Sequence, residues 1–389
     1  MRIAALLLAL VIASPAQADC DAANTYRYDL GSQAATTLSY TGSYTYTATN
    51  GAGATRGFTT SFGANGLATS MAGGVQLPAI NALIGSAAGG RTLVVGGQFT
   101  ARTADISTGT RVIGTTLTFA QPVRDLALTV HDIDFTANQY RDWFMITGTG
   151  GGVTYVPALS TPFGSNNGAG PRAATGSSLT LGQATTPYAL TAAQAVGTAV
   201  SPNTNSTTGE IAISFAQPVT SITLRYGNYP LTGTETTTGQ QAYGISAVAF
   251  CPLPVLGVVK TSAPFATAGA DRFNAPGSDV VYAITVTNSG GSPVDLAGLV
   301  LTDLMPAQAR FYGGDFDPAV ARSGPFQLVA GTSGVTLAAA NAAFSKDGTN
   351  YAYVPISGYD ANVRAIRLSP GGRLAANSSF TIRFRARID

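Results

Sequence analysis

From residue 37 onward the chain is a succession of short runs rich in Thr, Val, Ile, Tyr and Phe, each cut off by Gly, Pro, Asn or Asp. TLSYTGSYTYTAT (37–49), RTLVVGGQFTAR (91–102), TTLTFAQPV, DLALTVHDID, DWFMITGTG, GVTYVPAL, GEIAISFAQPV, SITLRYGN and GISAVAFC all have this form. Alternation with a period of two lines one face of a strand with apolar side chains, and the bounding residues supply turns. Helical spacing is confined to two short candidates, NALIGSAAGG and LTAAQAVGTA, and glycine interrupts the first. A chain built this way is all-β, and residues 19–252 read as a jelly-roll-like β-sandwich.

One pentapeptide occurs twice. FAQPV at 119–123 continues as RDLALTVHDID, and FAQPV at 215–219 continues as TSITLRYGNY. Proline fixes φ and lacks an N–H, so Pro122 and Pro218 are expected at bends, outside the hydrogen-bonded ladder. The reading is two equivalent hairpins, one motif repeated in the two layers of a sandwich. Leu126, Leu128 and Val130 alternate with Ala127, Thr129 and His131, as Ile222 and Leu224 alternate with Thr223 and Arg225.

The first eighteen residues combine Arg2, an apolar stretch from Ile3 to Ala13 and an Ala16-Gln17-Ala18 cleavage pattern. This is the form of a secretory signal peptide (1–18), with the mature chain starting at Asp19. No later apolar run reaches the length of a membrane helix. Two cysteines, Cys20 and Cys251, in an exported chain are expected to form a disulfide stapling the ends of the first domain. Charged residues are 10% of the chain, against about 25% in ordinary globular proteins. Lysine occurs only at 260 and 346, glutamate only at 210 and 235, and the net charge is +2. No basic patch offers itself to nucleic acid or to an anionic membrane. Hydrophobic residues make up 45%, which argues against disorder.

Residues 253–389 carry a second set of strands, VLGVVKTSA, DVVYAITVTNSG, AGLVLTDLMP, NYAYVPI, VRAIRLSP and SFTIRFRARI, with a hairpin turn expected at Asp347-Gly348. Within them run Pro276-Gly277, Thr285–Asn288, Gly290-Gly291, Thr302-Asp303 and Pro306. This pattern, with the closing LSPGGRLAANSSFTIRFRARI, resembles the conserved-repeat module of bacterial surface proteins, domain of unknown function number eleven. The resemblance covers residues 255–389. It implies an immunoglobulin-like β-sandwich serving as a spacer or interaction module of exported proteins, with no catalytic residues to carry over. More loosely, LTVHDIDFTANQYRDWFMITGTGGGVTY and GEIAISFAQPVTSITLRYGN resemble segments of jelly-roll domains of bacterial surface proteins, with no function attached.

The chemistry-bearing residues concentrate in HDID. Asp132 and Asp134 flank Ile133, and Asp142 opens the next strand across the loop FTANQYR, so the three carboxylates can converge. With Asn138 and backbone carbonyls they would suit calcium, a hard ion that takes six to eight oxygens. The structural alternative has Asp132 and Asp134 capping the turn and pairing with Arg141. His131, the chain's one histidine, is expected on the strand surface, facing away from Asp132. Any Ser–His–Asp or Cys–His system would have to use it. No G-x-S-x-G or HExxH motif occurs. Glu210 and Glu235, in polar Thr-rich stretches, show none of the facing arrangement a glycosidase needs. Tyr40, Tyr44, Tyr46, Tyr140, Trp143 and Tyr226 would form a sugar-stacking platform if exposed on one face, and core if not. The expected function is a secreted or cell-surface, non-enzymatic structural or adhesive protein of a bacterium, whose partner is a surface protein or polysaccharide. The alternative is a carbohydrate-binding module assisted by calcium, and the third is an enzyme of unfamiliar type.

Overall fold

The computed structural model describes residues 20, 22–85, 90–136, 139–160, 167–169, 190–197, 209–229, 239–266, 269, 272–317 and 324–389. The segment 1–18, Asn138 and Glu235 lie outside them. The described chain is all-β, in two compact units, Cys20–Leu253 and Pro254–Asp389. Leu30–Ser32 and Ala339–Asn341 are short 3-10 segments, and no α-helix occurs among the described residues. The two helix candidates are overturned. Asn81 ends a short strand and residues 82–84 form bends, Gln194–Gly197 is a strand whose four residues are all buried, and residues 86–89 and 198–199 lie outside the described residues. Stretches this short take the conformation of the sheet they pack into.

In the first unit the strands that matter are β1 (Tyr26–Asp29), β2 (Ser43–Thr49), β3 (Thr55–Ala64), β4 (Thr92–Phe99), β5 (Ile113–His131), β6 (Tyr140–Gly150), β7 (Gln194–Gly197), β8 (Ile211–Ser214), β9 (Val219–Asn228) and β10 (Gln240–Pro252). One layer runs β2–β3–β5–β9–β6–β7, all antiparallel. The other runs β8–β5–β10, with β4 and β1 end to end along the far edge of β10. Strand β5 belongs to both. Its first half pairs with β3 and β9, and its second half with β8 and β10. A strand that switches sheets through a bend is a standard way to turn a sandwich corner. Here the register slips at three points, between Thr118 and Val123 against β9 and, against β10, between Arg124 and Ala127 and between Leu128 and Val130. Asp125 takes a left-handed φ of 51°.

The repeated pentapeptide is this corner. β5 passes through its FAQPV from the first layer to the second, while the chain leaves β8 in the second layer and passes through the other FAQPV into β9 in the first. The two copies lie antiparallel, with Val123 opposite Val219 and Phe215 N–H donating to Leu126 C=O at 2.9 Å. Their burial is the same residue by residue: Phe and Val inside, Ala and Gln exposed, Pro between. So the motif is not two hairpins. It is a pair of corners, and Pro122 sits within a continuous strand at the point where the ladder slips. Phe119 packs edge-on against Phe250 at 4.9 Å between ring centres and near Phe58 at 5.9 Å. Burial of each such ring contributes on the order of 2 kcal/mol.

The second unit is a smaller sandwich. Strands β11 (Leu256–Pro264), β12 (Asp279–Asn288), β13 (Leu301–Leu304), β14 (Ala309–Tyr312), β15 (Phe326–Val329), β16 (Ala342–Ser345), β17 (Ala365–Leu368) and β18 (Ser378–Ile388) divide between two sheets. One has the order β11–β12–β18–β14, with β15 also on β18, and the other has β13–β17–β16. Ile284, Val286, Phe380, Ile382 and Phe384 from the first face Leu301, Ile366 and Leu368 from the second in one core. The Asp347-Gly348 turn forms as expected. Asp347 Oδ1 accepts from the N–H groups of Thr349 and Asn350, both at 2.8 Å, and Gly348 has φ +81°. Those bonds hold the Asp347 carboxyl well below the usual range.

Candidate functional site

β5 and β9 both run away from the double corner, one in each layer, and their far ends meet at the same end of the sandwich. β5 stops at His131. Asp132 then takes a left-handed φ of 69°, which a short polar side chain tolerates, so strict alternation ends there. The turn is pinned by Ile133 N–H to Gly209 C=O at 3.1 Å and by Asp142 N–H to Asp134 C=O at 2.9 Å. Gly197 approaches so closely that a Cβ on it would fall within 1.8 Å of the Asp134 carbonyl oxygen, so only glycine fits.

The structure brings Asp132, Asp134 and Asp142 together, as the spacing implied. Asp142 is buried and spends both oxygens. Oδ1 accepts from Tyr226 Oη at 2.5 Å and from Gln241 Nε2 at 3.3 Å, and Oδ2 accepts from Asp134 N–H at 3.1 Å. Burial pushes the Asp142 carboxyl well up, and the Asp134 charge adds to this; the Tyr226 hydroxyl and the Asp134 N–H pull it partly back. Asp132 is pushed up to about 8 by burial first, then by the charge of Asp134 and a hydrogen bond to it. At neutral pH the Asp132–Asp134 pair therefore holds a proton. Burial followed by Asp142 also raises the Tyr226 and Tyr140 phenols.

The end of the second copy supplies one donor and two acceptors. Tyr226 bonds Asp142, Gly227 C=O accepts from Gln241 at 3.3 Å, and Asn228 Oδ1 accepts from Arg141 N–H at 3.1 Å. Through Asp142, whose Oδ2 accepts from the Asp134 N–H and whose Oδ1 accepts from Tyr226 Oη, the HDID end of one copy is joined to the RYGNY end of its twin.

One expectation is corrected. His131 is not on the surface. It is 3% exposed, with Nδ1 3.0 Å from Glu210 Oε1, in the residue just before β8. Burial outweighs the carboxylate and pushes the imidazole down to about 4, so it is neutral, and Nε2 is buried without a hydrogen-bond partner. Glu210 thus has a facing partner, which its Thr-rich context concealed. Arg141 lies on the opposite face of β6 from Asp142. Its Nη1 donates to Gly197 C=O at 2.5 Å and its guanidinium lies 3.9 Å over the Phe135 ring.

The aromatic residues do not form one platform. Trp143 and Tyr226 are buried, Trp143 edge-on to Tyr229 at 5.2 Å. Tyr40, Tyr44 and Tyr46 are half-buried against the core, and Tyr40 Oη donates to Gly96 C=O at 2.5 Å. Among the described residues no three His, Cys, Asp or Glu side chains are placed to hold a metal ion. No described helix is long and apolar enough to cross a membrane. Sequence reasoning named Glu210 and Tyr226 only in other roles and missed Gln241, because the pairing that brings them to this end of the sandwich is non-local. Compared with protein-family models and with curated proteins, the chain matches none.

Proposed function

We propose that the chain is a secreted or cell-surface structural or adhesive protein of a bacterium, non-enzymatic, with residues 1–18 removed as a signal peptide and residues 255–389 acting as a conserved-repeat spacer module. The observation that carries this reading is the Cys20–Cys251 disulfide, with Cα atoms 6.4 Å apart. Disulfides persist in oxidising compartments. This one also sits where a load would enter, because Cys251 lies two residues before Leu253, the end of the first unit, and Pro254 begins the second. Tension arriving through Pro254 passes across the sulfur bridge to Cys20 and bypasses the 231-residue loop between them. A connector gains from such a shunt. The test is to label intact producing cells and their medium with an antibody to the chain, and to assay the thiols. Extracellular protein with no free thiol is expected. Cytosolic protein with two reduced cysteines overturns the reading, as does a hydrolase activity abolished by changing His131.

A second reading, calcium-assisted carbohydrate binding, is favoured by the gathering of Asp132, Asp134 and Asp142 and by the buried Gln241 Oε1, which has no hydrogen-bond partner beside them. Its test is thermal unfolding in excess EDTA and then in calcium. A ligand that binds the native state raises its stability by mass action. A calcium-dependent upshift lost in Asp132→Asn, followed by binding on a glycan array, upholds this reading, and an unchanged melt removes it.

A further inference from the structure

In the second unit an ion pair joins the two sheets. Lys260 is on β11 at the edge of the larger sheet, and Asp303 is on β13 of the smaller. Both point inward, Lys260 in line with Leu256 and Val258, which pack on the core. Lys260 Nζ lies 2.6 Å from Asp303 Oδ1 and 2.7 Å from Oδ2, with side-chain exposures of 13% and 2%. The ammonium sits over the Tyr282 ring at 4.5 Å and near Phe384 at 5.7 Å. Two charges among aromatic rings have lost most of their hydration, and such a pair recovers that loss only with good geometry.

We propose that Lys260 and Asp303 condense to an intramolecular amide, a covalent bond between the sheets. Burial favours the neutral acid form of Asp303, and one proton passes to it from the ammonium along the 2.6 Å contact. The neutral amine then attacks Cγ of the carboxylic acid with its lone pair. The tetrahedral carbon formed expels one oxygen, which takes a proton from the nitrogen and leaves as water. One N–C bond forms, one C–O bond breaks, and ammonium plus carboxylate become amide plus one water, with no oxidant or cofactor. Two groups held in contact react as if at an effective concentration on the order of 10⁵ M or more. Burial excludes the bulk water that would reverse the step. Burial raises the Asp303 carboxyl even against the opposing pull of Lys260, which favours the protonated acid that the attack requires. A link here fastens the first strand of the unit, where load arrives from Pro254, to the opposite layer.

The test is mass spectrometry of the full chain, reduced, denatured and digested with trypsin. The expected product is a branched peptide containing both Lys260 and Asp303, one water lighter than the sum of its parts, with no cleavage after Lys260. Asp303→Asn should give the same branched product by losing ammonia instead of water. Lys260→Arg keeps the positive charge and should give two separate peptides. Recovery from the wild-type chain of a peptide ending in an unmodified Lys260, with the Asp303 peptide at full mass, overturns the proposal and leaves an ion pair.

Discussion

At the scale of single residues, the polar interior separates groups that are satisfied by neighbours from groups that merely repel one another. Asp142 accepts from three donors, Tyr226, Gln241 and the Asp134 N–H. Asp142→Ala leaves all three buried and unpaired, and about 3–5 kcal/mol of stability should be lost. Asp142→Asn keeps an acceptor and sheds repulsion from Asp134, so its loss should be smaller. Urea unfolding followed through Trp143, the chain's one tryptophan, measures both. Asp279 behaves in the opposite way. Burial alone would raise its carboxyl, but Tyr359, Arg385 and Arg387 bond it and the net effect is a lowering. A carboxyl depressed in the native state stabilises above its unfolded value and loses that contribution as pH falls through the native one. The second unit should therefore weaken on acidification below the ordinary carboxylate value of 3.8. Asp279→Asn should flatten that slope while lowering stability at pH 7, as calorimetry across pH would record. The convergence of the three aspartates was legible in sequence because a hairpin brings strand ends together. The burial of His131 was not, since it depends on Glu210 and Gly244, which are remote in sequence and reach it only through sheet pairing.

At the scale of strands, apolar alternation located the interior well. Leu126, Leu128 and Val130 on β5 and Ile222 and Leu224 on β9 are all buried, as their period demands. The role of FAQPV was misread because proline and a turn signal fit a hairpin and a sheet-switching corner equally. What distinguishes them is the partner of each half-strand, and that is non-local. The corner also explains a glycine. A Cβ on Gly148 of β6 would stand 2.6 Å from the Phe215 ring and 2.8 Å from Val219 Cγ1, the two buried ends of the second corner. Gly148→Ala should destabilise the first unit by about 1–3 kcal/mol through overpacking. Pairing it with Val219→Ala should recover part of that loss in a double-mutant cycle of unfolding free energies. Full additivity would show that the clash is relieved elsewhere.

For the whole molecule, composition and turn spacing were enough to read two all-β sandwiches, since neither depends on knowing which strands pair. The disulfide was legible from an even cysteine count read together with the expectation of export. Its closed loop is long, and the chain-entropy model assigns it on the order of 5 kcal/mol. Reduction, or Cys20→Ser with Cys251→Ser, should lower the unfolding transition of the first unit by that order and leave the second unit's transition in place, in a calorimetric scan. The double corner has a further consequence for the order in which the chain is made. β5 lies at the centre of both layers, yet three of its four strand partners, β8, β9 and β10, follow it by 80 residues or more, and the fourth is β3. Non-local pairing of this kind is slow. A chain emerging amino end first carries β5 with only β3 beside it until residues 211–252 arrive. The first unit can close only when its last strand, bearing Cys251, is present, so a chain threaded through an export pore stays an open polymer until that strand has come through.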